Sequence, residues 1–232
     1  LENPVTQIAA APAPMERKPP AVGSFINAAN TDFSLAPNRE RQREAISAYS
    51  SKLGQKFPLI INGQKYADRE LIPSVNPARP NQLIGSWARA TVADADAAIA
   101  AARTAFPIWS NQPVEARARV LESAAKIMES RRLELNSLLI LEAGKPWVEA
   151  DGDVSEAIDF CRFYAVEMRK LSQTTITQAV LGERCTQTWT PRGVGVAIAP
   201  WNFPLAILTG LVVAPLVAGN TVIMKPAEQT SV

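Results

Sequence analysis

Gly193-Val-Gly-Val-Ala-Ile-Ala199-Pro-Trp-Asn-Phe-Pro204-Leu-Ala-Ile-Leu-Thr-Gly-Leu-Val-Val-Ala-Pro-Leu-Val-Ala-Gly-Asn220-Thr-Val-Ile-Met-Lys225-Pro-Ala-Glu-Gln-Thr230 is the stretch that decides the fold. Gly193–Ala199 alternates like a strand buried against small neighbours, Leu205–Ala218 is an apolar run of helical length, and Thr221–Lys225 reads as a second strand. Strand, helix and strand in so short a span make a βαβ unit, whose two strands lie parallel. The loops that follow them, Ala199–Pro204 and Lys225–Thr230, then share the carboxyl edge where such sheets bind nucleotides. Gly193 and Gly195 resemble part of a dinucleotide fingerprint, but the third glycine and the place before a helix are lacking, so both belong to the strand.

Upstream, the period is helical. Thr91 precedes a helix with Asp94 and Asp96 in its first turn, an apolar stripe placed by Ile99, Ala102, Arg103 and Phe106, and Pro107 as its expected end. Glu115–Ala143 carries Val120, Ala124, Ile127 and Met128, then Leu135, Leu138 and Leu139, and meets a stop at Gly144 and Pro146. Ser155–Leu171 is a further amphipathic helix, with Ile158, Cys161, Phe163 and Ala165 towards a core. Cys185–Pro191 alternates like an exposed strand. Nearer the start, Asn62-Gly63 between short apolar runs marks a hairpin, and Ser74–Pro80 a second turn ahead of a strand at Ile84–Ala88. Asn38–Lys52 is a charged helix ending before Gly54, where the basic Arg39, Arg41 and Arg43 alternate with Glu40 and Glu44 as on a solvated face. Before it, Pro12, Pro14, Pro19 and Pro20 give a linker composition. The expected division is an arm with one helix over 1–56 and a folded body over 57–232.

Composition narrows the function classes. The 232 residues are 47% hydrophobic and 20% charged, enough for a real core. A net charge of +2, from 24 basic and 22 acidic residues, gives no field that implies nucleic acid or an anionic membrane. With no histidine, serine–histidine triads and most zinc sites are excluded within the chain, and no metal is expected. Cys161 and Cys185 form neither a CxxC pair nor a disulfide framework, and fit a reducing cytoplasm. The apolar run from Phe203 to Gly219 is broken by Pro204 and Pro215 and is too short to span a membrane, so it is read as a buried helix. A start at Leu1 suggests a processed or excised piece.

The two loops carry the chemistry. Pro200-Trp-Asn-Phe-Pro204 followed, across an apolar helix, by Ala218-Gly-Asn-Thr-Val-Ile-Met-Lys-Pro-Ala-Glu-Gln-Thr-Ser231 resembles the aldehyde dehydrogenase superfamily. The resemblance implies an α/β fold: an incomplete aldehyde dehydrogenase, the start of a doubly wound parallel NAD-binding sheet with N-terminal helices and an oligomerisation hairpin. It makes Asn202 the donor to the oxyanion that forms when a thiolate adds to an aldehyde, an interaction worth roughly 3 kcal/mol in a dry site. From local sequence alone, Asn202 could equally cap the following helix. The resemblance places Ala199, Pro200 and Trp201 beside the nicotinamide ribose, and Lys225 and Glu228 on the adenosine ribose. A carboxylate there favours NAD over NADP.

Glu142-Ala-Gly-Lys-Pro-Trp147 and Glu156-Ala-Ile-Asp-Phe-Cys-Arg-Phe-Tyr-Ala165 are similar to the L-glutamate γ-semialdehyde (1-pyrroline-5-carboxylate) dehydrogenases, with Glu156 near the substrate aldehyde. Phe25–Ser34 and the arginine-rich helix look like the connector of bifunctional proline-utilisation A proteins, which implies an upstream proline dehydrogenase domain. Thr186–Arg192 resembles the arm through which the family forms homo-oligomers. Neither cysteine suits the nucleophile; that cysteine and the glutamate general base are expected beyond Val232, in the remaining part of the catalytic domain. The expected activity of the parent is NAD-dependent oxidation of glutamate γ-semialdehyde, the chain alone being inactive. The alternatives are a dehydrogenase of another semialdehyde or betaine aldehyde, and a truncated, non-catalytic binding or assembly module.

Overall fold

A computed structural model describes residues 24–178 and 180–232. The proline-rich arm before residue 24 lies outside them. Helix α1 (Ala36–Tyr49) leads through a short 3-10 turn to a mixed sheet of β1 (Gln55–Phe57), β4 (Leu71–Asn76) and β5 (Arg79–Ala88) in the order β1-β5-β4. Strand β1 thus crosses the 56/57 boundary expected from sequence, pairing Gln55 with Gly85 and Phe57 with Trp87. The hairpin β2 (Leu59–Ile61) and β3 (Gln64–Tyr66) turns at Asn62 and Gly63, both with positive φ (51° and 75°), as an Asn-Gly hairpin turn demands. The second expected turn narrows to Pro77-Ala78, because Ser74 belongs to β4; Asn76 Oδ1 accepts the Ala78 N–H at 2.9 Å and closes the corner.

Helices follow: α2 (Val92–Ser110), α3 (Val114–Ser130), α4 (Arg132–Glu142) and α5 (Trp147–Leu171). Thr91 and Asp94 form a reciprocal capping box at the start of α2. Pro107 does not end α2, which runs three residues further. A proline removes one donor, and the Trp109 indole secures the last turn by donating to the Leu216 carbonyl at 2.8 Å. The stretch 115–143 divides at Arg131, whose φ and ψ of −104° and 15° leave the helical region. Its core face is Ala118, Leu121 and Ala125, whereas Val120 and Ile127 are exposed.

Helix α5 is the axis of the molecule. Ala150, Val154, Ile158, Cys161, Ala165 and Met168 recur every three or four residues and pack with Leu121, Leu139, Val213 and Val217. Phe163 lies outside this stripe, 38% exposed, and meets Phe25 edge-on with ring centroids 5.4 Å apart. The leader is clasped to α5: Asp159 accepts from the Ala28 N–H (2.6 Å) and the Asn27 amide (2.8 Å), and Asp151 from the Thr31 N–H (2.6 Å) and hydroxyl (2.7 Å). Gln42 of α1 is fully buried against Ser137 and Asn136 of α4.

Strands β6 (Thr175–Gln178) and β7 (Cys185–Gln187) form an antiparallel hairpin that projects Ile176, Leu181 and, beyond it, Trp189 to the surface. The last unit is the expected βαβ: β8 (Val194–Ile198), α6 (Ala206–Val217) and β9 (Thr221–Lys225), with β8 and β9 parallel from Val194 opposite Thr221 to Ile198 opposite Lys225. Asn220 ties the two strand starts together, its side-chain oxygen accepting the Arg192 and Gly193 N–H groups at 2.6 and 2.9 Å. The strand expected to be buried is covered on one side only. Ala197 is buried, but Val196 and Ile198, on the opposite face, are 58% and 66% exposed, since helices pack on a single face of this pair. Helix α6 likewise buries Ala206, Gly210, Val213 and Val217 while Leu211 stands out in solvent. Among the described residues no helix is long and apolar enough to cross a membrane.

Candidate functional site

The register of β8 on β9 fixes the site. Because Ile198 faces Lys225, the loops that leave both strands emerge at the same edge, and the Ala199 N–H still reaches the Lys225 carbonyl at 3.4 Å. The chain then bends through Trp201, Asn202 and Phe203 before α6 begins. Asn202 does not cap that helix. The residue at the cap is Leu205, without a side-chain bond, and the helix start is served from elsewhere in the fold.

The substitute is Asp153 of α5. Its Oδ1 accepts the Ala206 N–H at 2.6 Å, placing a carboxylate at the positive end of α6. Its Oδ2 takes Lys145 Nζ at 2.8 Å, and the two side chains are 0% and 9% exposed. A charge so deeply buried is tolerable only when paired. The same Nζ donates to the Asn202 carbonyl at 3.0 Å and lies 3.9 Å from the centre of the Phe203 ring. Among the described residues, this is the one hydrogen bond Asn202 makes; its exposed side-chain amide has no partner.

Around it, Ala199 is buried, while Pro200 and Trp201 are exposed, and the Trp201 carbonyl accepts the Thr230 hydroxyl at 3.5 Å. Lys225 and Glu228 form an exposed ion pair at 2.5 Å. The lysine's hydrogen bond holds the Glu228 carboxyl below its ordinary range. The fold therefore brings Ala199, Pro200, Trp201, Asn202, Lys225 and Glu228 to one edge. Glu156 stands apart, exposed on α5 one turn beyond Asp153 and bonded to none of them. A cleft of about 420 Å³ lined by Thr31, Arg41, Arg131 and Glu134 includes none of these residues.

Lys145 and Asp153 are not evident from sequence. The available signal is an acid beside Ala150 and Val154, on the apolar side of α5, where only a partnered carboxylate can stand. The cysteines lie elsewhere: Cys161 is fully buried with its thiol pushed up to about 11 by burial, and Cys185 is half-buried in the hairpin.

The aldehyde dehydrogenase family model matches residues 64–232. The 1-pyrroline-5-carboxylate dehydrogenase 1 of Halalkalibacterium halodurans is 46% identical over 202 residues, 87% of this chain and 39% of that protein's length. The chain thus spans well under half of the curated relatives it matches. Proline utilization A from Bdellovibrio bacteriovorus superposes with a TM-score of 0.89 at 42% identity, over 92% of this chain and 22% of that one. For 1-pyrroline-5-carboxylate dehydrogenase from Thermus, solved with bound NAD, the TM-score is 0.82 at 40% identity, over 89% and 40%. The family model spans both loops of the sheet edge, and the match over residues 64–232 means that this chain belongs to the aldehyde dehydrogenase family.

Proposed function

We propose that the intact protein is an NAD-dependent dehydrogenase that oxidises L-glutamate γ-semialdehyde to L-glutamate. The observation that carries the reading is the shared edge of β8 and β9, from which one loop carries the unpartnered Asn202 amide and the other the Lys225–Glu228 pair. The names of the relatives support the substrate class.

The donor set fits a dinucleotide. Glu228 offers a carboxylate and Lys225 a cation for ribose hydroxyls, while Pro200 and Trp201 supply exposed apolar surface on the other loop of the edge. Bound there, NAD would supply the acceptor for the hydride lost by the aldehyde. The Asn202 amide is a neutral N–H donor for the oxygen that gains negative charge when a thiolate adds to the carbonyl. With Cys161 sealed in the core, the thiolate belongs to a part of the intact protein beyond these residues, as does the base that activates water. Glu156 is proposed as a neighbour of the substrate aldehyde, the exposed β6–β7 hairpin as a contact between copies of the chain, and a proline dehydrogenase domain as an upstream neighbour.

The test is Asn202→Ala in the intact enzyme, measured as NADH formation. Loss of one oxyanion donor should lower kcat by about 100- to 1,000-fold with NAD binding retained; a loss under about tenfold overturns the assignment. Glutamate semialdehyde should exceed succinate semialdehyde in kcat/KM, and the reverse order would move the substrate to another semialdehyde.

A further inference from the structure

We infer that Lys145 and Asp153 are positioning residues for Asn202, forming a buried two-charge clamp that sets the direction of its side-chain amide. The inference rests on the oxyanion reading of Asn202. Three observations carry it. The loop between β8 and α6 is irregular, so the repeating bonds of a helix or strand do not fix the conformation of Asn202. One ammonium bridges the Asn202 carbonyl (3.0 Å) and Asp153 (2.8 Å), while Asp153 holds the Ala206 N–H (2.6 Å), so the loop is gripped at both ends through main-chain atoms. Gripping the carbonyl leaves the side-chain amide free to donate to a reacting oxygen.

The clamp is itself mounted rigidly. Lys145 lies between Gly144, at φ +67°, and Pro146, at φ −58° and the cap of α5. A side chain at position 144 would strain that backbone and meet the Pro77 ring at 3.0 Å. The root of the lysine is therefore set by the β4–β5 corner and α5, and its tip by a carboxylate on the same helix. A clamp of this kind acts on the geometry of the transition state more than on cofactor affinity.

A mutant cycle in the intact dehydrogenase separates this role from ordinary structural support. The combined change Lys145→Met with Asp153→Asn removes both charges together, so no unpaired ion is left buried, and the new amide oxygen can still accept the Ala206 N–H. The expected result is a fall in kcat of about 10- to 100-fold, with KM for the aldehyde and Kd for NAD within about threefold. Adding Asn202→Ala to that variant should cost little more than Asn202→Ala alone, because the clamp acts through Asn202. Lys145→Arg, which keeps the cation and its donors, should recover most of the lost kcat and serves as the second variant should the double change prevent folding. Multiplying effects of clamp and Asn202 changes, or a loss confined to thermal stability, would overturn the clamp while leaving the oxyanion role standing. A small effect of Asn202→Ala alone would overturn both.

Discussion

Glu142 ends α4 with 7% of its surface exposed, and its Oε1 accepts both the Ser74 hydroxyl at 2.7 Å and the Val232 N–H at 3.0 Å. Burial raises the pKa of this carboxyl above its ordinary value, against the lowering effect of those donors. Folding therefore favours the protonated form. The stability owed to this group is complete below the usual carboxylate range and is lost as the pH rises through the raised folded value. Glu142→Gln keeps an accepting oxygen and carries no charge. Its melting temperature relative to the parent should rise as the pH increases above the usual carboxylate range, by circular dichroism; a difference constant with pH would show that Glu142 ionises without hindrance. The carboxylates of Glu115, which is exposed, and Glu134, which is half-buried, have the opposite sign. Hydrogen bonds from Arg169 hold Glu115 down to about 2, and those from Arg131 and Lys52 hold Glu134 down to about 2. Their contribution is present above the unfolded range and disappears as acid takes the pH towards about 2. Acid unfolding should accordingly shift to higher pH in Arg169→Gln, which releases Glu115.

At the scale of elements, the contact of α5 with α6 depends on Gly210. A Cβ there would meet the Phe160 ring at 3.0 Å. Gly210→Ala is favourable for an isolated helix by about 1 kcal/mol, yet the close approach should make it net destabilising by roughly 1–3 kcal/mol in urea unfolding. A gain in stability would mean that Phe160 swings aside freely. The sequence is legible at this scale where period and punctuation agree, as in Thr91 with Asp94, the Asn62-Gly63 turn and the β8-α6-β9 unit. It misleads where a single residue carries too much weight. Pro107 reads as an end, but tertiary bonding by Trp109 carries α2 past it. Val120 and Ile127 are apolar yet exposed, whereas the charged Arg117 of the same helix is buried, donating to the Val217 carbonyl at 2.8 Å at the end of α6. The loops of the candidate site are recognisable as a pattern. The Lys145 bond to Asn202 spans 57 residues, and no local period reports such a contact.

For the whole molecule, the main feature is a parallel strand pair with helices on one side and Val196 and Ile198 bare on the other. Apolar patches of this sort bind other surfaces, and β8 and β9 both keep an open edge. The 232-residue chain prepared by itself should therefore bind a hydrophobic dye and scatter light increasingly with concentration, and Ile198→Lys should reduce both. A dye-silent, monodisperse monomer would contradict this description. The helical side is more self-contained, because α3, α4 and α5 share one core and the leader is fastened over it. The manner of that fastening bears on how the chain can diverge. Asp151 and Asp159 take the main-chain N–H groups of Thr31 and Ala28, atoms that every residue except proline provides. Selection can hold two acids on the helix and a path for the leader while position 28 accepts any residue but proline that still packs on the core. Lineages can thus differ in the spelling of this strap and still wear it in the same place.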